Sequence, residues 1–132
     1  MGVRADRQSA LSADSFDAER YRPALVKKRQ RRVARTLARV QKAREFIPVI
    51  VDSFLRIDPA IDRIILFGSL ARGIPERLDF DIDIGVRSGR LLKLVAWALN
   101  QEWKIDVVDI DSLDGSILQG IDSSAEILYE RR

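Results

Sequence analysis

At 132 residues, with 46% hydrophobic and 33% charged residues, the chain has the size and balance of one soluble globular domain. It contains no Cys and no His, which excludes disulfides, thiolate chemistry, zinc-type sites and imidazole bases. The net charge of +3 is unevenly spread: residues 1–60 hold 14 Lys/Arg against 7 Asp/Glu, and residues 61–132 hold 9 against 13. Carboxylates must therefore carry any acid–base or metal work, and they gather in the C-terminal half. No run approaches the roughly 18 apolar residues of a membrane span. The N-terminus has no apolar core of a signal peptide. A cytoplasmic location without a membrane partner is expected.

Residues 1–16 mix Ser, Asp, Ala and Arg without an apolar period and read as a loose or disordered lead. From about Asp17 a helical pattern begins. Val26, Val33, Val40, Ile47 and Phe54 recur every seven residues, with Leu37 and Val51 between them and Gln30 and Arg44 interrupting. Between Arg20 and Arg44 stand eleven Lys/Arg and no acid. This is either a solvated face or a contact for a polyanion, nucleic acid or an acidic partner surface. A seam of this length also suits a homodimer. Pro48 predicts a kink or the start of a second helix ending near Arg56, because proline cannot donate to Arg44. Residues 17–57 are thus expected to form a basic helical extension, and residues 58–132 the domain proper.

Asp58-Pro59 is a stop and turn. Four apolar residues, Ile64 to Phe67, make a short buried strand beginning near Arg63. Gly68-Ser69 ends it. Glycine permits close backbone approach, and serine can cap the short helix Ser69–Arg72 that starts at once. Backbone N–H groups at such a helix start favour phosphate. Gly73-Ile74-Pro75 forms a turn. A second strand is expected at about Phe80–Val86, with Asp79, Asp81 and Asp83 on one face and Phe80, Ile82 and Ile84 on the other. Carboxylates so arranged repel one another unless a cation lies between them, and oxygen-only ligands suit Mg²⁺.

An amphipathic helix follows at about Arg90–Asn100, its Leu91, Leu92, Leu94, Val95, Ala98 and Leu99 facing the sheet. Trp97 and Trp103 read as packing residues rather than a base-stacking platform. The third strand, Lys104 to Asp111, places Asp106 and Val108 on one face, with Asp109 and Asp111 as strand-end or capping residues. A short helix over Asp114–Ile121 and an edge strand over Ala125–Glu130 complete the chain.

Gly68-Ser69, Ala71-Arg72-Gly73 and the Asp-x-Asp strand together resemble the polymerase-beta-type nucleotidyltransferases, and most closely the minimal nucleotidyltransferases (MNT). The resemblance covers about residues 60–130. It departs from the family pattern at Phe80, where a small polar residue usually precedes the Asp pair. It implies an α/β (α+β) fold: a small mixed sheet flanked by helices, here with a long N-terminal helical extension. It implies two Mg²⁺ ions on Asp81, Asp83 and Asp106, the last serving the acceptor hydroxyl, with the pair Asp79/Asp81 as the alternative register. Gly68 and Ser69 would hold the phosphates of an NTP, expected to be ATP. Arg72 would reach a phosphate or pair with a neighbouring carboxylate. The implied reaction moves a nucleoside monophosphate, expected to be AMP, to a hydroxyl on a partner protein. Many such short chains are antitoxins paired with a HEPN-type ribonuclease toxin. Two other readings stay open: a binding module of the same fold without turnover, and a transferase acting on an aminoglycoside-type small molecule.

Overall fold

The computed structural model describes residues 18–113, 115 and 123–132. The chain divides into two compact units, residues 1–34 and residues 35–132. The first is described from Ala18 and consists there of the opening turns of helix α1 (Ala18–Ile57). Tyr21, Leu25, Val26 and Val33 are all exposed on it. The loose lead expected over residues 1–16 lies outside the described residues, as does nearly all of the short helix expected over Asp114–Ile121.

In the second unit α1 runs on to Ile57 without a second start at Pro48. Ala43, Ile47, Ile50 and Phe54 are buried in the main core, whereas Pro48 itself is exposed. Proline inside a helix costs about 3 kcal/mol. Burying three large apolar side chains recovers about 1.5–3 kcal/mol each, which outweighs that cost. The heptad stripe is therefore half core and half surface: Ile47 and Phe54 are buried, while Val26 and Val33 are not.

The sheet comprises β1 (Arg63–Phe67), β2 (Ile82–Arg87), β3 (Ile105–Asp109) and β4 (Glu126–Glu130), in the order β3-β2-β1-β4. β1 pairs antiparallel with β2 and β4, and β2 pairs parallel with β3, so the sheet is mixed as expected. Helix α2 (Gly68–Arg72) follows β1, and α3 (Leu91–Leu99) connects β2 to β3. Ile64, Leu66, Ile82, Ile84 and Val86 point to the main core with Ile50, Phe54 and Leu94. The opposite face carries a smaller cluster around Ile65 and Ile110. Alternation along the strands also puts Asp83 and Asp106 on that second face.

Three sequence expectations need correction. β2 begins at Ile82 rather than Phe80, so Asp79 and Asp81 precede the strand. Phe80 instead packs into the core, its ring 6.1 Å from that of Trp103. β3 ends at Asp109, whose side chain accepts the Asp111 N–H and caps a 3₁₀ turn over Ile110–Ser112. On α3 only part of the apolar set faces the sheet. Leu94 and Ala98 are buried, but Leu92 is 83% and Leu99 79% exposed. At 100° per residue these two leucines share a side with Ala96, turned away from Leu94 and Ala98.

Trp97 and Trp103 do pack rather than present a platform. Trp97 stacks on Phe46 at 6.4 Å and meets the edge of Phe54 at 5.7 Å. Trp103 lies 6.5 Å from Phe46 and under the Arg39 guanidinium at 4.1 Å, a cation–π contact. Arg44, a seam position of α1, donates to Glu126 of β4 at 2.6 Å and to the Leu70 carbonyl at 3.3 Å. The interruption of the seam thus ties α1 to β4 and α2.

Candidate functional site

β1 delivers the chain to the site. Its last residue, Phe67, is extended, and Gly68 then turns with φ +77 into α2. A residue with a side chain rarely adopts that angle. Leu70 is fully buried and fastens the short helix to the core. Gly73, at φ +139, ends it. No side chain caps the start of α2, and Ser69 lies inside the helix rather than at its cap. The first backbone N–H groups of α2 are therefore left without a capping side chain, in the position where a phosphate oxygen can accept from them.

Phe67 pairs with Asp83 across the β1–β2 ladder. This places the Asp83 carboxylate against the bare Cα of Gly68: a Cβ there would stand 2.0 Å from Asp83 Oδ2. On its other side Asp83 pairs with Asp106 of β3, in parallel register. Asp81 lies two residues earlier and is exposed, as is Asp106, whereas Asp83 is half-buried. Burial, with the charges of Asp106 and Asp81 adding to it, pushes the Asp83 carboxyl up to about 6, against a smaller opposing pull from Arg72.

Two cavities meet at Asp81, and Asp83 lines neither. The larger, about 590 Å³, is lined by Ser69, Arg72, Arg77, Asp79, Asp81 and Lys104 among others. The smaller, about 360 Å³, is lined by Asp81, Leu99, Glu102, Trp103, Lys104 and Asp106 among others. Arg72 makes no ion pair with a described residue. Asp79 is held by Arg77, Nε to Oδ1 at 3.1 Å, in the loop before β2. The structure pairs Asp83, and not Asp79, with Asp106. Sequence reasoning missed Lys104 and Arg77 as cavity residues. The signal for Lys104 was a lone cation two places ahead of Asp106.

Among the described residues no group of three or more His, Cys, Asp or Glu side chains is gathered closely enough to hold a metal ion. The donor chemistry nevertheless suits a divalent cation. The acids offer oxygen alone, and a cation between Asp83 and Asp106 would offset the burial and the like-charge repulsion that together raise Asp83.

The structure is thus an α/β domain: a mixed sheet, with α2 leading away from a Gly-Ser turn and paired aspartates on neighbouring strands. No protein-family model and no curated protein matches the chain. Solved structures do. One is a toxin–antitoxin with AMP-PNP, 25% identical over 63% of this chain and 73% of that one, TM-score 0.51. Another is a mutant of the toxin–antitoxin MntA-HpeT, 23% identical over 62% of this chain and 72% of that one, TM-score 0.50. A third, the tri-AMPylated Shewanella oneidensis HEPN toxin in complex with MNT antitoxin, is 19% identical over 73% of each chain, TM-score 0.41. The chain has the fold of the MNT nucleotidyltransferases and resembles the antitoxins of these pairs. No described helix is long and apolar enough to cross a membrane.

Proposed function

We propose that this protein is an MNT-type antitoxin that transfers a nucleoside monophosphate from Mg-NTP to a hydroxyl of a HEPN-like toxin. The observation that carries this reading is the placement of Asp83, opposite Asp106 on parallel strands and against the side-chain-free Gly68. The nucleotide would lie in the larger cavity, its terminal phosphates toward the N–H groups of α2, Ser69 and Arg72. AMP is the group expected to move, supported by the similarity to a toxin–antitoxin with AMP-PNP. Asp81, Asp83 and Asp106 would hold the metal, which when bound screens the triphosphate and stabilises charge on the attacking and leaving oxygens. Asp106 also borders the smaller cavity, where it can accept the acceptor hydroxyl's proton. Exposed Leu99 at the same cavity, with Leu92 two turns away on the same side of α3, offers apolar surface to a protein acceptor.

The test is incorporation of label from α-labelled ATP into a HEPN-type toxin expressed with this chain. Label on the toxin that disappears with Asp83→Asn supports the reading. Tight toxin binding with no label at any Mg²⁺ concentration favours a binding module that neutralises by contact alone. That second reading rests on the absence of a three-carboxylate group among the described residues.

A further inference from the structure

The two cavities share two residues, Asp81 and Lys104. Asp81 is one of the proposed metal-holding acids; Lys104 has no role in the reading above. It stands on the wall between the space assigned to the nucleotide and the space assigned to the acceptor. Its backbone is fixed from three sides. The Lys104 carbonyl accepts the Ile82 N–H at 2.8 Å, where the β2–β3 ladder opens. Trp103 before it is packed on Phe46 and Phe80, and Ile105 after it pairs with Ile82. The side chain is exposed and makes no ion pair with a described residue, although Asp81, Glu102 and Asp106 all line the smaller cavity beside it. Lys104 is thus a cation anchored at its root, at the boundary of two cavities, with no ion-pair partner among the described residues.

We propose that Lys104 holds the α-phosphate of the bound nucleotide, which is the phosphate that changes partners. This rests on the nucleotidyl-transfer reading. In that reaction the acceptor oxygen, entering from the smaller cavity, bonds to the α-phosphorus. The bond from that phosphorus to the bridging oxygen breaks, its electron pair leaves on pyrophosphate, and the acceptor proton passes to a carboxylate. Of the phosphates, only the α-phosphate must lie where donor and acceptor spaces meet, and Lys104 with Asp81 forms that meeting point. Ser69 and Arg72, which line the nucleotide cavity but not the acceptor one, are left to the β- and γ-phosphates. The ammonium group, with three donors, follows the α-phosphate oxygens as charge spreads over them.

Calorimetric titration with AMP, AMP-PNP and pyrophosphate, each in excess Mg²⁺, tests this assignment. Lys104→Ala is expected to weaken AMP and AMP-PNP about tenfold and to leave pyrophosphate unchanged. Arg72→Ala should weaken AMP-PNP and pyrophosphate and spare AMP. Lys104→Arg should restore much of the AMP affinity. Thermal melting of each variant checks that the exposed substitutions leave the fold intact. Loss of pyrophosphate affinity in Lys104→Ala with AMP untouched would overturn the assignment, as would unchanged affinity for all three ligands. A native protein that binds none of them overturns the nucleotidyl-transfer reading itself, an outcome visible before any variant is made.

Discussion

The carboxylate of Asp83 occupies the space that a side chain on Gly68 would need, with Oδ2 only 2.0 Å from the position of a Cβ. Gly68 also turns with φ +77. Space and backbone therefore demand glycine independently at this position. Gly68→Ala should destabilise the fold by about 2–4 kcal/mol, combining overpacking with backbone strain. It should also displace Asp83 and abolish nucleotide binding. Gly73 has φ +139 but nothing within 4 Å of a built Cβ, so Gly73→Ala should cost about 1–3 kcal/mol from strain alone and spare binding. Urea unfolding beside AMP-PNP titration separates the two.

Asp83 gives the fold a pH dependence opposite to that of an ordinary paired carboxylate. Its carboxyl is raised from 3.8 to about 6 in the folded chain, by burial first and the neighbouring acids second. Between those values the folded state holds more protons than the unfolded state, so this group's contribution to stability falls as pH rises. Without added metal, the native protein should lose stability across roughly pH 4–6, and Asp83→Asn should flatten that decline. Saturating Mg²⁺ should flatten it as well. Urea midpoints at half-unit pH steps are the measurement.

Asp58 has the opposite sign. Ser88 Oγ donates to it at 2.5 Å and the Ala60 N–H at 3.0 Å, and the Ser88 bond is the main cause of its lowered pKa. Asp58 follows α1 directly, and Ser88 lies in the turn after β2, so the bond joins two chain segments at the end of the sheet remote from Asp83. A depressed carboxylate contributes stability above its unfolded value of 3.8, lost as pH falls through the folded value. Ser88→Ala should cost about 1–2 kcal/mol at neutral pH and move acid unfolding to higher pH. Nucleotide affinity should not change.

Much of this arrangement is legible in the residues. The run from Ile64 to Phe67 can only be a short buried strand, and Gly68-Ser69 can only turn out of it. Strand alternation alone puts Asp106 with Val108 and away from Ile105. What escapes the sequence is set by tertiary packing. Asp79 continues the alternation of Asp81 and Asp83, yet Phe80 is drawn into the core beside Trp103, and the strand starts only where the Ile82 N–H finds the Lys104 carbonyl. Pro48 looks like a break, but the burial on either side of it carries the helix through. Leu92 and Leu99 look like core, and they face outward because α3 has more apolar residues than one helix side can bury. Lys104 reads as an ordinary strand-edge cation until the cavities are seen on both sides of it.

Asp106 should divide binding from turnover. It borders the acceptor-side cavity and does not line the larger one. Asp106→Asn is expected to keep AMP-PNP affinity within about threefold of native and to lower transfer to a toxin by 10²-fold or more. Equal loss of both would remove the proposed division of labour between Asp106 and Asp81.

The most direct test of the central claim is Mg²⁺-dependent AMP-PNP binding by the native protein and by Asp83→Asn, measured by calorimetry at pH 7 with the melting temperature of each recorded. Neutralising Asp83 removes a repelled, half-buried charge, so the variant should melt at a higher temperature than the native protein in the absence of metal. It should nevertheless lose the Mg²⁺-dependent binding that the native protein shows. A more stable protein that no longer binds assigns Asp83 to function rather than to folding. Equal, Mg²⁺-independent affinity in both proteins, or none in the native protein, would contradict the account.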